Sequence, residues 1–153
     1  MAEAVNGQTI KVIVFELMNK EYAIPVENVR SIEKIPYITR VPGVESFVMG
    51  VINHKGTITP IIDLRTRFGL ERRNHDESTR IIIVSNNQFE VGVIVDSAKD
   101  VLEFSALIVE PQPKVIGFEE SDFINGVANV NGRLLILLKL EQILQVPGTV
   151  QSL

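Results

Sequence analysis

The sequence predicts an all-β protein, a duplicated tandem of two small closed barrels with short helices. Three observations predict it. The first is an internal repeat: residues 12–32, VIVFELMNKEYAIPVENVRSI, realign on residues 81–101, IIIVSNNQFEVGVIVDSAKDV, at an offset of 69. Val12 then meets Ile81, Val14 meets Ile83, Ile24 meets Val93 and Val26 meets Val95. A second stretch, FVMGVINHKGTITPIIDL (47–64), lies over FINGVANVNGRLLILLKL (123–140) at an offset of 76, so a seven-residue insertion falls in the middle of the second copy. The second observation is a set of short Val/Ile/Leu-rich runs bounded by turn formers, the pattern of barrel strands rather than of βαβ units. The third is size. A lone unit of about 60 residues buries only about 60% of its unfolded surface, so each half needs the other.

In chain order, residues 1–8 read as a loose tail, 9–75 as a first barrel subdomain, 76–147 as a second, and 148–153 as another tail. Strands are expected at Ile10–Leu17, Tyr22–Val26, Arg80–Val84, Val91–Val95 and Arg133–Leu138. Asn86-Asn87 and Asn131-Gly132 suit hairpin turns, because Asn and Gly tolerate positive φ. Gly50 and Gly126 occupy matching places before apolar strands and mark sharp bends or bulges. Each half ends in a short helix. In Asp63–Gly69, Asp63 caps the N-terminus, Leu64 and Phe68 share a face, and Gly69 closes the helix. In Lys139–Gln145, Leu140, Ile143 and Leu144 have helical spacing. Pro111-Gln112-Pro113 reads as part of an extended surface connection.

Composition removes several functional classes. A net charge of −4 argues against a general nucleic-acid binder, and the absence of cysteine excludes disulfides and thiolate metal sites. The start, MAEAVNGQ, lacks the basic region and apolar core of a signal peptide. The longest apolar run, Leu134–Leu138, is too short to span a bilayer, so no direct membrane insertion is expected, and the lack of cysteine suits a reducing cytoplasm, the expected location.

Catalytic chemistry is hard to assemble from these residues. His54 and His75 each lie in a polar turn with no ligand set nearby, and read as solvated loop histidines. Glu119, Glu120 and Asp122 read as a solvated acidic turn, and neither a nucleophile elbow nor a phosphate loop occurs. No enzymatic activity, cofactor or metal is expected. The basic grouping Lys55, Arg65, Arg67, Arg72, Arg73 and Arg80 reads as a solvated flank. To read it as a single-strand groove would require stacking aromatics, and the chain has no tryptophan and two tyrosines. The apolar pairs Val29/Ile32 and Ala98/Val101 follow equivalent strands; they suit either barrel core or a junction that accepts a partner's apolar side chains.

A longer pattern narrows the choice. Arg40-Val41-Pro42-Gly43 is followed by Gly50-Val51-Ile52-Asn53-His54-Lys55-Gly56-Thr57-Ile58-Thr59-Pro60-Ile61-Ile62-Asp63-Leu64-Arg65 and later by Asn125-Gly126-Val127 and the Leu134–Leu138 strand. In order and spacing, over residues 10 to 147, this resembles the CheW-type chemotaxis coupling proteins. The resemblance implies two five-stranded barrels of SH3/OB-like type, with or without strands exchanged at the junction. It also implies a non-enzymatic adaptor that joins methyl-accepting chemoreceptor tips to the regulatory domain of a CheA-type histidine kinase in membrane-associated arrays. The family's turn commonly reads Asn-Leu-Arg-Gly; here His54-Lys55 replaces Leu-Arg. Lysine keeps the charge but lacks arginine's planar, bidentate fork.

On this resemblance the receptor candidates are Val29, Ile32, Asn53, Lys55, Gly56, Ala98 and Val101, and the kinase candidates are Val115, Ile116, Gly117 and Phe118. The alternative is a small-barrel nucleic-acid-binding or ligand-binding protein. Affinity steep in salt would favour the first form of it, and a deep pocket of converging ionisable groups the second.

Overall fold

The computed structural model describes residues 8–86, 89–111 and 123–145. Among these residues, ten strands and two short α-helices follow one another in two matching series. The first series is β1 (Thr9–Leu17), β2 (Lys20–Pro25), β3 (Val29–Glu33), β4 (Val48–His54), β5 (Thr57–Asp63) and α1 (Leu64–Arg67). The second is β6 (Arg80–Asn86), β7 (Phe89–Val95), β8 (Ser97–Ser105), β9 (Ile124–Val130), β10 (Arg133–Leu138) and α2 (Leu140–Ile143). The repeat offsets carry β1 onto β6 and, in turn, β5 onto β10 and α1 onto α2.

The sheets do not follow that division. One five-stranded sheet has the order β8-β1-β2-β10-β9 and the other β3-β6-β7-β5-β4. Each therefore combines the opening hairpin of one repeat with the three later strands of the other. The exchange is reciprocal and holds its register. Ala23 on β2 lies beside Leu137 on β10 in a parallel pairing, and their repeat partners, Gly92 and Ile61, lie beside each other in the same way. Ile13 faces Val101, and the matching residues Ile82 and Ile32 face each other. A boundary at residues 75 and 76 accordingly separates the two repeats but not the two barrels. The reason is that β2 and β7 each have one edge filled by a hairpin mate, and the other edge takes its parallel partner from the opposite repeat.

Exchange explains the unbroken apolar runs at the start of each repeat. Strands buried on both faces lose the alternation of a half-exposed strand. On β1, Val12 and Val14 point into a barrel with Ala23, Phe104, Ala128 and Leu135. Ile13, Phe15 and Leu17 point the other way, into the core between the two sheets. On β6, Ile81 and Ile83 fill the second barrel while Ile82 and Val84 enter the shared core. This shared core is the largest of the three, and Leu64, Phe68, Leu140, Ile143 and Leu144 from the helical segments seal it. The helical spacing read from the sequence thus reports burial at the junction.

Gly50 and Gly126 permit closure of the barrels. Thr39 pairs with Val51 through two backbone hydrogen bonds of 2.9 Å, and Glu110 pairs with Val127 through two of 2.8 Å. A Cβ on Gly50 would overlap the Thr39 carbonyl, and one on Gly126 would lie 2.6 Å from the Glu110 carbonyl oxygen. A register shift between Val48 and Gly50, and another between Leu137 and Leu138 opposite β9, accompany these approaches.

The expected cap at Asp63 is present. Its Oδ1 accepts from the Arg65 N–H at 3.2 Å, and its Oδ2 accepts from the Thr66 hydroxyl at 3.1 Å. Gly69, at φ +82°, follows the helix as expected. Asn131 and Gly132 form the two-residue link between β9 and β10, both at positive φ. Asn86 ends β6, and its expected turn partner Asn87 lies outside the described residues.

Candidate functional site

The arginines of the basic grouping make internal contacts, although Arg72, Arg73 and Lys55 are exposed as expected of a solvated flank. Arg65 donates to both oxygens of Asp96 at 2.9 and 2.8 Å. These hydrogen bonds raise the guanidinium's pKa. Burial alone would push the Asp96 carboxyl up, but the bonds from Arg65 and from the Met18 N–H hold it below its usual range. Arg67 donates to the carbonyls of Ile143, Gln142 and Gln145 and lies over the rings of Phe47 and Phe123, 4.3 and 4.9 Å from their centroids. Those two phenylalanines are repeat partners, so one arginine joins both copies where they meet. Arg72 reaches the Ser46 carbonyl and Asp63, Arg73 reaches Asp76 and Asp96, and Arg80 donates to the carbonyls of Glu77 and Thr79. Phe15, Tyr22, Phe68 and Phe123 form a chain of ring contacts. A groove for single strands needs free cations beside free rings, and the five arginines of this grouping already have carboxylate or carbonyl partners.

The receptor candidates occupy three places. Val29 opens β3, half-buried against the shared core, and Ile32 is 39% exposed further along the same strand. Ala98 and Val101 hold the matching positions on β8, and Val101 is 48% exposed. Directly opposed residues in an antiparallel pair share a face. Ile32 therefore lies on the side of Ile82, and Val101 on the side of Ile13, which puts both at rims of the shared core. The two rims belong to different sheets, so the sequence pairing of Val29/Ile32 with Ala98/Val101 reflects pseudo-symmetry rather than one continuous strip.

The third place is the hairpin between β4 and β5. Asn53 Oδ1 accepts from the Gly56 N–H at 2.8 Å, and Asn129 does the same for Gly132 at 3.1 Å. Lys55 occupies a left-handed position, φ +52°, where its repeat partner is Asn131 at φ +53°. A lysine there carries a steric cost that Asn or Gly largely avoids. Its side chain is exposed, with no hydrogen bond or ion pair among the described residues. The kinase candidates Val115, Ile116, Gly117 and Phe118 lie outside the described residues, as do Glu119, Glu120 and Asp122.

His54 is not a solvated loop histidine. It is 8% exposed, with Nε2 2.9 Å from Glu33 Oε2 and Nδ1 3.3 Å from Glu90 Oε1. The Ser31 hydroxyl donates to Glu33 at 2.8 Å. That hydrogen bond first, and the one from His54 second, hold the Glu33 carboxyl below its usual range. The signal available in the sequence was the repeat, because His54 aligns with Val130, a buried residue of the other barrel. His75 is exposed, as expected.

Two pseudo-symmetric barrels with partly exposed apolar rims and a charged hairpin at the polar end of one define a double-barrel binding protein. The comparisons name the family. The CheW-like domain model matches residues 11–147, and this chain belongs to that family. A chemotaxis protein CheW of Bacillus subtilis is 41% identical over 143 residues, covering 94% of this chain and 90% of that protein. Its counterpart in Klebsiella aerogenes is 34% identical over 140 residues, covering 90% and 84%. The crystal structure of the scaffolding protein TtCheW from Thermoanaerobacter tengcongensis superposes with a TM-score of 0.83 at 33% identity, covering 92% of this chain and 95% of the other. The fold is the double SH3-like one and the function is that of a chemotaxis coupling adaptor; the nucleic-acid and ligand-binding alternative is not favoured.

Proposed function

We propose that this chain couples transmembrane chemoreceptors to a CheA-type histidine kinase, without chemistry of its own, in the cytoplasm at membrane-associated receptor arrays. One observation carries this reading: two barrels of matching register present outward apolar residues at matching positions, beside a hairpin whose lysine has no partner among the described residues. The helical tip of a receptor would lay an apolar ridge along the β3 rim at Val29 and Ile32 and meet Asn53, Lys55 and Gly56 at its polar edge. Ala98 and Val101 are the corresponding positions on β8. The segment Val115–Phe118 is assigned to the kinase. The kinase regulatory domain resembles this fold, which favours pairing of barrel against barrel. Interfaces near 1,000 Å² suffice where a lattice adds avidity.

The test is paired binding of the full chain to a receptor-tip fragment and to a kinase regulatory domain. Lys55→Glu reverses one charge and is expected to weaken receptor binding about tenfold while leaving kinase binding within about twofold, in line with the cost of a disrupted charged contact. Equal loss of both partners with the fold intact would show that the two surfaces are not separate. Lys55→Arg restores the bidentate fork and is expected to equal or exceed the parent for the receptor.

A further inference from the structure

His54 ends β4 with both ring nitrogens directed at carboxylates, Nε2 at Glu33 on β3 and Nδ1 at Glu90 on β7. A neutral imidazole has one N–H and one lone pair, so it can donate to only one of them and must turn its lone pair to the other. An ionised carboxylate has no proton to return. Only the imidazolium satisfies both contacts. Among the described residues, the charged groups facing the ring are Glu33 from β3, Glu90 from β7 and, next along the chain, the exposed Lys55. Ser31 on β3, Thr57 opposite His54 on β5 and Ser85 opposite Glu90 on β6 are neutral. Two carboxylates and one ammonium leave one negative charge, and the imidazolium neutralises it.

The strands involved matter as much as the charges. β3 and β4 are the two edges of the same sheet, and the contact from His54 to Glu33 joins them. We propose that His54 is a proton-operated latch. When charged, it ties the end of β4 to β3 and β7 and holds the Asn53–Gly56 hairpin in place; when neutral, it gives up one tie and frees that hairpin. The latch stands on geometry and is independent of the adaptor reading, although Lys55 rides on the hairpin it holds.

The other barrel supplies an internal control. There Arg133, on β10, donates to both oxygens of Glu21 and both of Asp100 at 3.0–3.1 Å. Glu21 and Asp100 are the repeat partners of Glu90 and Ser31. These carboxylates raise the pKa of an arginine that is already charged throughout the neutral range. That end of the molecule has no proton to lose. The doubly bonded form is the charged one, so the latch is closed while the ring carries its proton and open once it is neutral. Glu33, lowered from 4.5, acts oppositely: its contribution is present above that value and is lost on acidification. The latch therefore needs a protonated ring and an ionised Glu33 at once.

The experiment is an NMR titration of the full chain from about pH 5 to 9 across the usual histidine range, reading the His54 ring and the backbone amides of residues 53–57. The exposed His75 ring serves as reference. The expected result is one shared midpoint for the His54 ring and the hairpin amides, while the amides of Asn131 and Gly132 stay flat. Hydrogen exchange at the His54–Thr57 closing pair should quicken by about three- to tenfold above that midpoint, after correction for intrinsic pH dependence, as loss of one charge-assisted hydrogen bond requires. His54→Leu, which restores the family's usual residue, should abolish the shared transition. Glu33→Gln should move the His54 midpoint to lower pH and provides a second test if the leucine variant folds poorly. A His54 ring that titrates with no response in the hairpin amides, or a midpoint unmoved by Glu33→Gln, overturns the latch.

Discussion

The two barrels share strand order, register and turn geometry, yet their corresponding polar ends are held differently. In one, Arg133 binds two carboxylates through a fork whose charge is permanent near neutrality. In the other, a buried imidazole bridges Glu33 and Glu90. The repeat partner of Arg133 is Thr57, and that of His54 is Val130, so the cation has moved from the strand after the turn to the strand before it. Duplication conserved what closes the barrels, namely the glycines under Thr39 and Glu110, and let the charges diverge. Backbone closure tolerates no added atom, whereas a carboxylate accepts any donor that reaches it.

The strongest test of the shared architecture is to separate the copies. Each barrel takes strands from both repeats, so fragments 1–75 and 76–153 should each lack a cooperative thermal transition, while their equimolar mixture should recover one. A single fragment with dispersed amide signals and a cooperative melt would contradict reciprocal exchange. The intact chain should melt in one step, because the largest core belongs to both barrels.

A smaller difference is expected between the two closing glycines. Gly126→Ala must push aside the Glu110 carbonyl and should cost about 1–3 kcal/mol, as overpacking does. Gly50→Ala meets a closer carbonyl and also has φ +144°, which adds backbone strain of about 1–3 kcal/mol. Urea melts should rank Gly50→Ala as the more damaging substitution. Equal losses would mean that the local backbone relaxes at Gly50.

The two rims can be separated next. Ile32 and Val101 are already substantially exposed, so alanine at either should cost no more than about 1 kcal/mol of stability. Val29→Ala should cost more, because Val29 packs on the shared core. Binding of a receptor-tip fragment is expected to weaken by about 1–3 kcal/mol for Ile32→Ala, the worth of a buried aliphatic side chain. A loss of 2–5 kcal/mol in stability at Ile32, with binding unchanged, would return it to the core. A larger binding loss for Val101→Ala would move the receptor to the β8 rim.

The smallest effect concerns the paired turns. Lys55→Asn copies the residue of the other barrel at the same left-handed position and should stabilise the chain by roughly 0.5–1 kcal/mol. Asn131→Lys should cost about as much. Calorimetry on the two variants measures whether strain at Lys55 is retained for its charge.

Much of this molecule was legible because repetition is a long-range signal written in a linear sequence. The offsets of 69 and 76 identified corresponding strands, turns and glycines. The spacing of Leu64 and Phe68, and of Leu140, Ile143 and Leu144, located both helices and their buried faces. The resemblance to the coupling family and its turn directed attention to residues 53–56. The surroundings of His54 were not legible in this way, since the carboxylates that contact it, Glu33 and Glu90, come from strands remote in sequence.

The sequence by itself determined the repeat, the all-β class, the helix caps and the small residues required under the crossing segments, because these depend on local periodicity, backbone sterics and hydrogen bonding. Only the tertiary structure decided which strand joins which sheet. A run such as IIIV is apolar on both faces and fits the centre of either barrel, so local pattern cannot choose its neighbour. The choice comes from the shared core, where both opening hairpins bury their second face at once. The same choice brings His54 to two carboxylates and fills its hydrogen-bonding capacity there instead of in water.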